Sequence, residues 1–188
     1  GVYQVDRSYN YTIDIEGLLI SICRFKHGGK KSAQLGAFRQ IEIDYTLGEN
    51  DFLFFIDSDI ILKSDSLLQF NYHIEKYNKN CLTGMITCVA SDKPNFLTFY
   101  QDVEYISGQI LWRNFETMLG GASTCLPGAF TLLRYSSFKK VSDIYFKDHE
   151  YTDTIDYHRF YLGEDRYLTH LLMESEPWKI GFCESAVC

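Results

Sequence analysis

Apolar residues along this chain gather into short runs separated by stretches of helical periodicity. The runs are Leu18 to Cys23, Phe52 to Ile56, Leu82 to Cys88, Ala129 to Arg134 and Trp178 to Cys183. Each has the length of a strand rather than of a helix. Phe52-Leu53-Phe54-Phe55-Ile56 contains no polar residue, the pattern of a strand covered on both faces. Between the runs, Ser32 to Ile41 predicts a helix that Gly36 weakens. Asp65 to Tyr77 predicts a second, with Leu68 and Ile74 on its apolar face. The longest covers about Leu97 to Leu119, with Tyr100, Val103, Ile110 and Met118 among its apolar positions. The last opens at Glu164, where Leu168, Leu171 and Leu172 recur at the i, i+3, i+4 spacing that buries one face. Strands alternating with helices predict an open α/β sheet flanked by helices. Ligands of such sheets bind beyond the carboxyl ends of the strands, which directs attention to the turns after each run.

A length of 188 residues, with no linker or repeat inside it, suits one domain over 1–188. Apolar residues at 46% supply a real core. The formal net charge of −7 argues against a general nucleic-acid or anionic-membrane binder. It also means that an anionic ligand needs a bridging cation. The six cysteines form no C-x-x-C pair, so a zinc site is not indicated. Most lie in apolar runs, where a thiol acts as a small hydrophobe, and this suits a reducing compartment. No apolar run reaches membrane-spanning length. A start on Gly1 rather than Met suggests a piece of a longer protein.

The apolar run Phe52 to Ile56 leads directly into Asp57-Ser58-Asp59. Two carboxylates at i and i+2 after a buried strand can face one site, and Mg²⁺ or Mn²⁺ accepts one or two carboxylates alongside phosphate and water. A solvated turn explains the same residues. A strand ending in D-x-D also opens the haloacid-dehalogenase phosphatases, but Ile60-Ile61 stands where that family's turn needs Gly or Thr. Gly28-Gly29-Lys30-Lys31-Ser32 lacks P-loop spacing, yet it can offer backbone N–H groups and cations to a phosphate. Cys125-Leu126-Pro127-Gly128-Ala129-Phe130, after Gly120-Gly121-Ala122, holds a tight turn where Gly128 allows close backbone approach. Gly163-Glu164-Asp165-Arg166-Tyr167-Leu168 starts the last helix. Its acids complement the positive helix end, and a carboxylate fixed there can also accept a proton from a hydroxyl. Glu104-Tyr105 fits an ordinary exposed helical face. The histidines show no metal-binding spacing.

Four of these segments, in this order, resemble the chitin synthases, processive family 2 glycosyltransferases of fungal and microsporidian type: Gly-Lys-Lys-Ser, Asp-Ser-Asp, Cys-Leu-Pro-Gly-Ala-Phe and Gly-Glu-Asp-Arg-Tyr-Leu. The similarity runs from about Leu18 to Cys188. It implies a GT-A-like, Rossmann-like open mixed sheet, incomplete at both ends. It also implies a UDP-N-acetylglucosamine donor, a growing β-1,4 chitin chain as acceptor, and Mg²⁺ or Mn²⁺. Carried over residue by residue, Asp165 matches the general base of an inverting displacement, flanked by Glu164 and Arg166. Asp59 matches the metal ligand, and Asp57 lies beside the nucleotide sugar. Lys30 matches the Gly-Lys element near the nucleotide, and Gly128 the turn bordering the sugar pocket. The family's uridine-binding strand is expected upstream. Its Gln-x-x-Arg-Trp motif and membrane helices are expected downstream, in a multi-pass plasma-membrane parent with this domain on the cytoplasmic side. A hyaluronan- or cellulose-type synthase and a non-catalytic nucleotide-sugar-binding fragment are the alternatives.

Overall fold

The computed structural model describes residues 11–15, 17–25, 28–87, 95–119, 123–147, 153–158 and 163–188. The chain divides into two compact units, Gly1–Leu47 and Gly48–Cys188.

In the first unit, β1 (Tyr11–Ile15) and β2 (Leu18–Ile22) form an antiparallel hairpin. Gly17 turns it at φ 85°, where a side chain would be strained. α1 (Lys30–Asp44) follows Gly29, whose φ of 83° sets the chain entry. The helix therefore begins two residues before the expected Ser32. The glycine that weakened its prediction has a packing reason: a Cβ at Gly36 would stand 2.6 Å from the Phe25 ring.

The second unit is built on a four-stranded mixed sheet. Its strands are β3 (Phe52–Ile56), β4 (Cys81–Met85), β5 (Phe130–Arg134) and β6 (Ile180–Val187), in spatial order β3-β5-β4-β6. β5 is antiparallel to both neighbours, while β4 and β6 are parallel. The carboxyl ends of β3, β4 and β6 therefore share an edge with the amino end of β5. The expected open mixed α/β sheet is present. β6 starts at Ile180, later than expected, because Trp178 sits at φ 70° in the turn before it.

Strand alternation divides the core. Phe52, Phe54, Leu82, Phe130 and Leu132 point toward α2 (Ser66–Tyr77), where Phe70 and Ile74 complete the cluster. Leu68 does not join them: at 69% exposed it lies round the helix from the buried Ser66, Phe70 and Ile74 stripe. On the other face, Phe55 meets Phe138 of α5 (Tyr135–Tyr145) edge to face. Tyr145 of α5 stacks on Tyr167 of α7 (Glu164–Ser175), with α6 (Thr154–Tyr157) before it.

The long helical stretch is one run in three parts. α3 (Phe96–Ile106) passes into a π-helical segment, Ser107–Arg113, and then into α4 (Asn114–Met118). Its large apolar residues stay outside: Tyr100, Val103 and Met118 are all exposed, and the buried residue of the stretch is the polar Gln109. No helix among the described residues is long and apolar enough to cross a membrane.

Candidate functional site

The apolar run of β3 ends where a carboxylate would otherwise have to be buried. Asp57 and Asp59 lie in a turn closed by the Ile60 N–H bonding to the Asp57 carbonyl at 3.3 Å, and both are exposed. The chain then returns inward, with Ile60 and Leu62 packing against the core and Ser66 Oγ donating to the Val187 carbonyl at 2.6 Å. The turn is thus anchored at both ends while its acids face solvent. Among the described residues, no hydrogen bond or ion pair engages either carboxylate, which leaves them open to a ligand.

The Cys125–Phe130 loop links this turn to the last helix. On one side, the Asp57 N–H donates to the Ala129 carbonyl at 3.3 Å. On the other, the Leu126 N–H donates to Thr169 Oγ1 at 2.8 Å, and that hydroxyl donates to the Asp165 carbonyl at 2.7 Å. Thr169 is fully buried, so this relay is shielded from water. Pro127 closes the loop by accepting from the Phe130 N–H at 3.2 Å and from Thr131 Oγ1 at 2.6 Å. Gly128 is buried inside it. The antiparallel placement of β5 brings these segments to one sheet edge, since it sets the start of β5 beside the end of β3.

Leu168, Leu171 and Leu172 are buried as their spacing predicted, and they fix the first turn of α7. Glu164 and Asp165 there are half-buried and Arg166 is exposed. Arg166 lies close enough to the Cys125 thiol to act on its charge. Burial and the Asp165 charge push that thiol up, against the opposing pull of Arg113 and Arg166. Burial, then Asp165 and Glu164, push the Tyr145 hydroxyl up as well. Asp165 therefore sits within electrostatic reach of Cys125 and Tyr145. Thr169 was not singled out by the sequence, and Cys125 only as the first residue of its loop motif; their parts depend on contacts between residues distant along the chain.

Asp57, Asp59, Gly128, Glu164, Asp165 and Arg166 all belong to the second unit. Lys30 belongs to the first, as the opening residue of α1. Gly120, Gly121 and Ala122 lie outside the described residues, as does Cys88. Cys23, Cys81, Cys125, Cys183 and Cys188 are free thiols. Among the described residues, no group of three or more His, Cys, Asp or Glu could hold a metal unaided. Two exposed carboxylates on one turn do fit Mg²⁺ or Mn²⁺, which draws its other ligands from phosphate and water.

The family model described as "Chitin synthase" matches residues 38–188. The chain belongs to the chitin synthase family. Chitin synthase G of Aspergillus niger is 43% identical over 96% of this chain, which corresponds to 26% of that protein. Chitin synthase VI of Metarhizium acridum is 41% identical over 96% of the chain and 30% of its own length. Chitin synthase 7 of Verticillium dahliae is 38% identical over the whole chain and 29% of its length. The chain thus spans less than a third of these chitin synthases.

Proposed function

We propose that this chain is the central part of a glycosyltransferase that moves N-acetylglucosamine from UDP-N-acetylglucosamine to the non-reducing end of a growing β-1,4 chitin chain. The observation that carries this reading is the Cys125–Phe130 loop, bonded at one end to the Asp57 turn and at the other to the Asp165 turn. One edge of the sheet then serves both halves of a displacement: Asp57 and Asp59 toward the donor, Asp165 toward the acceptor.

Asp165 accepts the proton of the acceptor's 4-hydroxyl as that oxygen attacks the anomeric carbon from the face opposite the leaving group. The α linkage becomes β. Glu164 and Arg166 flank the base, and Gly128 lets backbone approach the sugar. Asp59 would hold Mg²⁺ or Mn²⁺, with Asp57 beside the nucleotide sugar, and the cation would supply charge neutralisation for the leaving diphosphate. Lys30 enters as a nucleotide contact on the strength of its Gly-Lys turn alone. The net charge of −7, with two carboxylates on the donor side, favours a cation as the bridge to a diphosphate donor. The parent protein is proposed to be a multi-pass plasma-membrane synthase with this domain on the cytoplasmic side.

Asp165→Asn in the intact synthase tests the reading. Turnover should fall on the order of a hundredfold to ten-thousandfold, the usual worth of a positioned base, while UDP affinity is kept. Near-normal turnover would remove Asp165 from the role. Activity surviving thorough chelation would remove the cation, and a panel of UDP-sugars would reassign the donor if another were preferred.

A further inference from the structure

α4 is only five residues long, yet its side chains tie it down on two sides. Asn114 Nδ2 donates to Glu184 Oε2 on β6 at 3.1 Å. Glu116, on the next turn of the chain, takes hold of Thr124. The Thr124 N–H donates to its Oε2 at 3.0 Å, and Thr124 Oγ1 donates to its Oε1 at 2.9 Å. Both oxygens of one carboxylate thus meet both donors of one residue. A carboxylate only accepts, so the two groups match without remainder, and its charge makes each bond stronger than a neutral one. Glu116 is therefore occupied, whereas Asp57 and Asp59 face solvent.

Thr124 stands at the head of the Cys125–Phe130 loop. Neither helix nor strand intervenes between it and β5, so individual side-chain and turn bonds, not a ladder, set the place of these residues. Ser123, fully buried, donates from Oγ to the Cys125 carbonyl at 3.1 Å. Leu126, two residues after Thr124, donates to Thr169 and so reaches the Asp165 turn. Ala129 accepts from Asp57. A shift at Thr124 is thus felt at both turns. Charge follows the same path: burial pulls the Arg113 guanidinium down while Cys125 and Glu116 pull it up, and Arg113 in turn opposes Asp165 at the Cys125 thiol.

We infer that Glu116 is a positioning residue: by gripping Thr124 it sets the Cys125–Phe130 loop, and through that loop the Asp57 and Asp165 turns, for transfer. This role rests on the reading of the chain as a sugar transferase. It asks nothing of Glu116 toward substrate, because both of its oxygens are engaged within the chain. Asn114 and Glu184 complete the device by fixing α4 to the sheet, so the loop is referenced to β6 as well as to α7.

The test is steady-state kinetics of the intact synthase, with thermal melting to check that each variant is folded. Glu116→Gln keeps the shape but offers one accepting oxygen in place of two. Thr124→Val loses the hydroxyl at an exposed position, where the fold tolerates the change. Glu116→Gln should lower kcat on the order of tenfold to a hundredfold, the scale of a small misplacement of reacting groups. KM for UDP-N-acetylglucosamine should stay within about threefold of wild type. Thr124→Val should lower kcat less, and Thr124→Ser, which keeps both donors, should not lower it. The double variant should be no worse than Glu116→Gln alone, because both act through one contact. A kcat within about twofold of wild type in folded Glu116→Gln would overturn the role, as would effects that multiply in the double variant or a change in KM alone. Near-normal turnover in Asp165→Asn beside a loss in Glu116→Gln would strike Asp165 as the base and support Glu116 as the residue that sets the loop.

Discussion

The two edges of the sheet in the second unit treat the same chemical group in opposite ways. Where β4 begins and β5 ends, Glu176 is surrounded by donors. Asn80 Nδ2 reaches its Oε2 at 2.7 Å, Ser137 Oγ reaches the same oxygen at 2.5 Å, and Lys140 pairs with its Oε1. Arg134 extends the clamp, donating from Nε to Asn80 Oδ1 at 3.0 Å and from Nη1 to the Glu49 carbonyl at 3.1 Å, with its guanidinium over the Phe52 ring. At the opposite edge, Asp57 and Asp59 stand exposed without such partners among the described residues. The first edge spends its charges on holding strands together. The second holds its backbone firmly and leaves the carboxylates open. Stability and ligand binding should therefore respond to different substitutions, and the size of each response ranks the two edges.

The largest loss of stability is expected from the layer common to both. A Cβ at Gly84 would lie 2.1 Å from the Phe130 ring and 2.7 Å from the Ala186 carbonyl oxygen. That ring is hemmed in by Phe54 and Phe70, at centroid distances of 5.7 and 5.0 Å. Gly84→Ala should cost about 3 kcal/mol in urea unfolding, the upper end of ordinary overpacking. If both edges hang from one rigid sheet, UDP binding falls with it. Binding that survives a large stability loss would mean the edges are independent.

How much of this was legible beforehand depended on whether the cause was local. β3 was plain, since a wholly apolar strand needs cover on both faces, and the acids closing it marked the edge. The start of α7 was plain as well, because three leucines fix its orientation. α5 was missed because it begins at Tyr135 with no turn residue after β5. The inward face of α2 was misjudged at Leu68, because apolar spacing alone does not say which of two stripes meets the sheet. The π-helical segment leaves no periodic trace. Thr169 reads as an ordinary helical threonine until Leu126, 43 residues earlier, is brought against it.

Thr169→Val comes next in size. It keeps the shape but removes the hydroxyl between Leu126 and Asp165, leaving a buried N–H without a partner. The cost should be about 1–3 kcal/mol. Turnover in the intact synthase should fall as well, because the Asp165 turn loses its tie to the loop. A stability loss with turnover unchanged would confine Thr169 to packing.

The clamp edge should show a smaller, pH-dependent effect. Partial burial alone would raise the Glu176 carboxyl, but hydrogen bonds from Lys140, Ser137 and Asn80, with the Lys140 charge, outweigh it and hold the group at about 2. Its ordinary value is 4.5. A folded value below the unfolded one gives stability that is complete above 4.5 and drains away as the pH falls toward 2. Glu176→Gln should therefore cost about 1–2 kcal/mol at pH 7, given the partial solvent screening of Lys140. The gap to wild type should close in acid. A gap that stays constant down to pH 2 would assign the effect to packing rather than charge.

The smallest stability change belongs to the open edge, where the comparison can be broken most cleanly. Asp59 is exposed at a turn whose backbone bonds do not involve its side chain, so Asp59→Asn should leave unfolding within about 0.5 kcal/mol of wild type. The same substitution should weaken Mn²⁺-dependent UDP binding at least tenfold, because an amide oxygen is a poorer ligand than a carboxylate for a hard cation. Titration of the variant with UDP, with and without Mn²⁺, separates the two effects. If Asp59→Asn destabilises the chain as much as Glu176→Gln does, its carboxylate has a structural partner after all, and the contrast between the edges fails. If it changes neither stability nor metal-dependent binding, the turn is solvated surface and the cation must be held elsewhere.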